Sequence, residues 1–125
     1  MNKISWDQFE HFSEKEFACP CCGLCNISPH FICQLAEARD IAGIPFKITS
    51  GCRCKVHNKE VGGKEKSAHL CSQYIPSTAC DIYVNTDRKR FIIVRALIDS
   101  GFTHIGIGKD FIHVDDDRRS AMWLY

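Results

Sequence analysis

Apolar positions along the chain fall into two helical stripes and several short runs with strand character. Between residues 28 and 42, Phe31, Leu35, Ala38 and Ala42 lie on one face of a 3.6-residue period, and Ile32 widens that face. Ser28 suits the N-cap, where a hydroxyl can accept an orphan backbone N–H. Pro29 suits the first helical position, where a missing N–H costs nothing, and Gly43 suits the stop. The spacing predicts a helix over 28–42 with its apolar face on a sheet. A second helix is predicted over 87–99, capped by Thr86 and ended by Gly101. Its inner stripe is Phe91, Val94, Leu97 and Ile98, and Arg88, Lys89 and Arg90 form its solvated face. Residues 46–49, 80–84, 104–107 and 111–114 read as strands, the last two joined through Gly108, Lys109 and Asp110 as a hairpin. Residues 54–61 read as a helical segment stopped by Gly62 and Gly63. Near the N-terminus Trp6, Phe9 and Phe12 share one face of a short helix or turn, and Ser13 with Glu16 forms a capping pair. The charged run 115–119 reads as a turn, after which Trp123 covers the core. The sum is an α+β fold with helices on one face of a small, mainly antiparallel sheet.

Length and charge narrow the possibilities. At 125 residues and 45% apolar content the chain makes one domain, 1–125, with one core. A net charge of +1 without a basic stripe argues against a nucleic-acid partner. No apolar run is long enough to span a membrane. Residues 1–12 are polar and aromatic, with no apolar h-region, so no signal peptide is expected.

Nine cysteines are many for this length, and the odd number leaves one thiol unpaired unless it binds metal or meets another chain. Four sit together as Cys19, Cys21, Cys22 and Cys25, with two overlapping C-x-x-C spacings that share Cys22. A structural zinc site ordinarily draws on two separate pairs. Cys52 and Cys54, spaced C-x-C, are the other candidates as donors. A redox-idle thiol cluster, a second metal and disulfides all stay open.

Candidate chemistry centres on residues 50–69, reading S-G-C-R-C-K-V-H-N-K-E-V-G-G-K-E-K-S-A-H, with Asp81 in A-C-D-I and His113 in F-I-H-V-D downstream. Two imidazoles and one carboxylate are the least a catalytic zinc centre needs, since such centres keep the fourth position for water. No H-E-x-x-H helix is present to hold two ligands together. Cys71 and Cys80 lie close enough in sequence to compete as thiolate ligands.

The ordered set SG-x-R, HN-x-x-VGG, S-x-H, A-x-D-I, G-I-G and F-I-H-V-D, closed by Trp123, resembles the M15 family of zinc D-Ala-D-Ala peptidases over residues 15–123. It is most similar to the small single-domain branch of bacteria and their phages. The resemblance implies a hedgehog/D-Ala-D-Ala peptidase-like fold and a Zn2+ cofactor held by His69, Asp81 and His113. It implies Arg53 as the substrate arginine, gripping a terminal carboxylate or a developing oxyanion. Ser67 would bind substrate or shape the ligand loop. A carboxylate must move the proton to the leaving amine; the resemblance points to Asp110, with Asp115 as a second base or as a group orienting His113. Asp116 and Asp117 read as solvated, and His104 as structural. The implied reaction is hydrolysis of peptidoglycan stem peptides next to a D-amino acid by a monomer, as a D-Ala-D-Ala carboxypeptidase. A phage-lysin endopeptidase and a non-catalytic zinc module of a cell wall or assembly are the alternatives. A substrate in the cell wall or periplasm would then require a non-standard export route such as phage-mediated lysis. Two departures stand out. His69 and Asp81 are further apart than the family's spacing, with Ser77 at its glycine position, so residues 72–76 should form a loop at the cleft mouth, clamped by Cys71 and Cys80. Asp115, Asp116 and Asp117 run together before Arg118, where the family's arginine comes sooner.

Overall fold

The computed structural model describes residues 4–125; the first three residues of the polar N-terminal stretch lie outside them. The capping chemistry acts where it was expected. Helix α1 is Glu14–Phe17, closed by a reciprocal box between Ser13 and Glu16. Helix α2 is Pro29–Ala42; the Ser28 hydroxyl accepts the Phe31 N–H at 3.3 Å, and Gly43 ends the helix with φ 67°. Helix α3 is Lys55–Glu60. Helix α4 is Asp87–Asp99, its first turn satisfied by Thr86, which accepts from Lys89 N–H at 3.1 Å. A 3-10 turn, Trp6–Gln8, precedes them, and the Trp6 ring stacks on Phe17.

Five strands form one sheet: β1 Ile48–Ser50, β2 Ala79–Tyr83, β3 His104–Ile107, β4 Phe111–Asp115 and β5 Ala121–Leu124, in the order β1-β2-β4-β3-β5. All neighbours are antiparallel except β3 and β5. The architecture is therefore α+β with a mainly antiparallel sheet. Strand β5 was not anticipated. It is a four-residue edge strand after a polar run, and its pairing with β3 is parallel and non-local, so no hairpin signal announces it.

Helix packing also differs in detail from the sequence reading. The nearest element to α2 is α4 rather than the sheet. The buried side chains of α2, Phe31, Ile32 and Leu35, nonetheless share one core with Ile82, Ile112 and Val114 of the strands. In α4 the inner face is Ile93, Ala96 and Leu97, while Phe91 and Ile98 stand exposed. Apolar residues at 91, 93, 94, 97 and 98 cover an arc wider than one face, so periodicity alone does not say which part turns inward. Arg90, expected in solvent, is half-buried and binds Asp87 and the Lys109 carbonyl.

The sheet register positions the chemistry. Asp81 pairs with His113, His113 with Gly106, and Gly106 with Trp123, so one row crosses four strands. Side chains alternate between faces along a strand. Cys80, Ile82, Ile112 and Val114 therefore go to the core while Asp81 and His113 go to the opposite face. The packing of α4 is open to test: Leu97→Ala should cost about 2–5 kcal/mol in urea unfolding, and Ile98→Ala under about 1 kcal/mol.

Candidate metal centre

Adjacent strands bring Asp81 and His113 side by side, and the loop after α3 brings the third group. His69 is set there by its own backbone. Its N–H donates to Ser67 Oγ at 3.2 Å, and its carbonyl accepts the Arg53 N–H at 2.8 Å. The three donor atoms converge. His69 Nε2 lies 3.2 Å from Asp81 Oδ1 and 3.2 Å from His113 Nδ1, and His113 Nδ1 lies 3.0 Å from Asp81 Oδ1.

The outer nitrogens fix the tautomers. His69 Nδ1 meets the Gly51 carbonyl at 2.8 Å, and a carbonyl can only accept, so Nδ1 carries the proton and Nε2 presents its lone pair. His113 Nε2–H donates to Asp115 Oδ2 at 2.7 Å, which leaves Nδ1 facing Asp81 and His69. Two nitrogen lone pairs and a carboxylate oxygen in van der Waals contact repel one another unless a cation lies among them. Histidine–carboxylate and histidine–carbonyl pairs of this kind orient metal ligands. The donor set fits a divalent metal such as zinc: imidazole and carboxylate, three ligands, one side open to a cleft of about 670 Å³.

Without a metal, protons supply the positive charge. Burial alone would lower the His113 pKa, but hydrogen bonds to Asp115 and Asp81 outweigh it and hold it up at about 9. Burial likewise opposes the Asp81 carboxylate, yet His113 and His69 keep its pKa well below the ordinary value. Asp115 follows the same pattern, with burial overcome by His113, the Asp117 N–H and His104.

Two glycines permit this geometry. A Cβ on Gly51 would stand 2.7 Å from the Phe17 carbonyl oxygen, so only glycine lets the backbone approach there while offering its carbonyl to His69. A Cβ on Gly106 would strike the rings of Trp123 and Tyr125 at 2.6–2.8 Å. Its absence lets Trp123 lie beside His113, with ring centroids 5.7 Å apart, and against His104 at 4.5 Å. Trp123 is thus a wall of the site rather than a cover for the core.

The other expected residues divide. Arg53 lines the cleft, with Nε donating to Ser50 Oγ at 3.1 Å and Nη2 lying 3.5 Å from Asp81 Oδ2. Ser67 lines it too, but its hydroxyl holds the His69 loop. Asp115 has both oxygens engaged, by His113 Nε2 and by His104 Nδ1 at 2.9 Å, which suits orienting His113 rather than taking up a proton. Asp110 lies in the exposed β3–β4 turn and is not among the cleft-lining residues. The loop 72–76 does not line the cleft either. Its Ser72 carbonyl accepts from Asn26 Nδ2 at 2.8 Å, which draws the loop toward residues 26–28. Ser77 joins the same strip, hydrogen-bonded to Asn26 and Ser28. Cys71 and Cys80 form no clamp; both are free thiols.

His104 belongs to the site although it read as structural. Counting back from the hairpin turn pairs 107 with 112 and therefore 104 with 115, so the signal was present in the register. Asp116 also lines the cleft, and its carboxylate has no partner among the described residues. Asp117, by contrast, is clamped by Arg119 at 2.6 Å.

A family model for peptidase M15 matches residues 10–115. The chain belongs to the M15 peptidase family. No curated protein matches it significantly. M15 members are typically metallopeptidases, and the converging His69, Asp81 and His113 form a candidate metal site of this M15 domain.

Two outcomes follow for this centre. Asp115→Asn weakens the acceptor behind His113 and should lower zinc affinity about 10–100-fold by competitive chelator titration, with the fold intact. In the metal-free protein the raised His113 pKa contributes stability that is full below the ordinary imidazole value and is lost as pH rises through about 9. Zinc must displace that proton, so its apparent affinity should climb about tenfold per pH unit from pH 7 toward pH 9.

Proposed function

We infer that this M15 domain is a peptidase with one zinc in its catalytic centre that hydrolyses peptidoglycan stem peptides next to a D-amino acid, as a D-Ala-D-Ala carboxypeptidase. The observation that carries the reading is the placement of Arg53 in the same cleft as the three metal ligands, its guanidinium held by Ser50 and Asp81. A zinc ion at His69, Asp81 and His113 would supply Lewis acidity toward a scissile carbonyl and an activated water. The chain's own groups do the rest. Arg53 keeps Nη1 free of partners among the described residues, so it can grip the terminal carboxylate of a peptide. Trp123 closes one side of the cleft and limits water around His113. Asp115 and His104 hold the His113 ring in place.

Two carboxylates remain to carry the proton to the leaving amine: Asp110, which the family resemblance favours, and Asp116. Position in the cleft supports Asp116.

The test is hydrolysis of peptides ending in D-Ala-D-Ala, with the terminal carboxylate free or amidated, by zinc-loaded protein. Cleavage of the free form alone fits the proposal. Equal cleavage of the amidated form points to an endopeptidase, and cleavage of neither with zinc bound points to a non-catalytic module. Arg53→Ala should lower kcat/KM for the free form by about 100–1000-fold. Asp116→Asn should lower kcat about 100-fold or more while zinc stays bound, and Asp110→Asn should leave kcat near wild type. The reverse pattern would return the role to Asp110.

A further inference from the structure

A second cluster of metal-ligating side chains lies outside the M15 centre, where the N-terminal turn meets the segment carrying Arg53. The Sγ atoms of Cys19, Cys22 and Cys54 lie within 4.8 Å of one another. Tetrahedral zinc thiolates, with Zn–S near 2.3 Å, place their sulfurs about 3.8 Å apart, so a small contraction would close the set around an ion.

The backbone of this corner is built around the first sulfur. Cys19 N–H donates to the Leu24 carbonyl at 2.8 Å and the Cys19 carbonyl accepts from Gly23 N–H at 2.7 Å, which folds C-P-C-C-G into a tight loop with Gly23 at φ 78°. The N–H of Cys54 points at Cys19 Sγ at 3.4 Å, and the N–H groups of Cys21 and Cys22 point at the same atom. Three N–H donors on one sulfur suit a thiolate, which carries negative charge, better than a neutral thiol. Cys54 Sγ accepts the His57 N–H at 3.4 Å. The Cys21 thiol lies against that of Cys54, though outside the 4.8 Å set, so a turn of its exposed side chain would bring it in as a fourth donor. Cys25 and Cys71 form a separate group around Cys52, whose sulfur is 3.2 Å from Ser77 Oγ.

We propose that Cys19, Cys22 and Cys54, with Cys21 as fourth donor, bind a structural Zn2+ that ties the N-terminal turn to the loop bearing Arg53. The sequence separates the two halves of this site by more than thirty residues, so the ion would cross-link a long loop. The second half comes from the single Cys54, so no distant C-x-x-C pair announces the site.

The proposal does not depend on the peptidase reading, and metal counting separates the two. Protein purified under reducing conditions should bind two zinc equivalents. A His69→Ala/His113→Ala double variant should keep one, and its cobalt-loaded form should show an intense near-ultraviolet thiolate-to-cobalt band. A Cys22→Ser/Cys54→Ser double variant should bind one equivalent without that band. Cys22 is exposed, so in the wild type zinc should also protect it from iodoacetamide; this readout needs no variant. The proposal is overturned by a single equivalent in the wild type without the thiolate band, by a band that survives loss of Cys22 and Cys54, by full alkylation of Cys22 in zinc-loaded protein, or by a disulfide among these residues in its place.

Discussion

The site depends on what stands behind the two imidazoles rather than on what they face. A free histidine presents either nitrogen, and a metal centre needs one lone pair aimed at a point. Here the Gly51 carbonyl takes the Nδ1–H of His69 and Asp115 takes the Nε2–H of His113. The two histidines thus use different nitrogens toward the same point. With Asp81 between them, three acceptors are forced into contact, and a cation is what makes that arrangement favourable.

The backbone sets these contacts in turn. Antiparallel pairing places Asp81 opposite His113, and the β3–β4 hairpin places His104 opposite Asp115. The core face of the same strands is apolar, and a one-residue slip would exchange the two faces, so burial of Ile82, Ile112 and Val114 holds the ligands in register. Gly51 and Gly106 show the same coupling at close range: a missing Cβ leaves room for the Phe17 backbone at the first and for the Trp123 and Tyr125 rings at the second.

Much of this was legible in the sequence because local chemistry leaves local marks. Ser28, Thr86 and Gly43 specify helix ends through single hydrogen bonds and one positive φ, and both long helices run between those marks. Motif order pointed to the family, which the family match shows, and to His69, Asp81 and His113, whose donor atoms the fold brings together as a candidate metal site. What was missed is non-local. Strand β5 forms by parallel pairing with a distant strand, so Trp123 read as core cover. His104 looked like an ordinary strand residue because its partner, Asp115, is reached only by counting across the turn. The loop 72–76 was expected at the cleft mouth, but its carbonyls answer to Asn26, a contact between residues far apart in the chain. Asp110 and Asp116 differ in cleft access because a turn and a strand end face different ways, which residue type does not report.

The most direct measurement is a crystal structure of the zinc-soaked protein with anomalous data collected across the zinc edge. The account predicts a peak bonded to His69 Nε2, Asp81 Oδ1 and His113 Nδ1, with Asp115 still on His113 Nε2. A His113 ring turned to offer Nε2, or no zinc at these three residues, would contradict it.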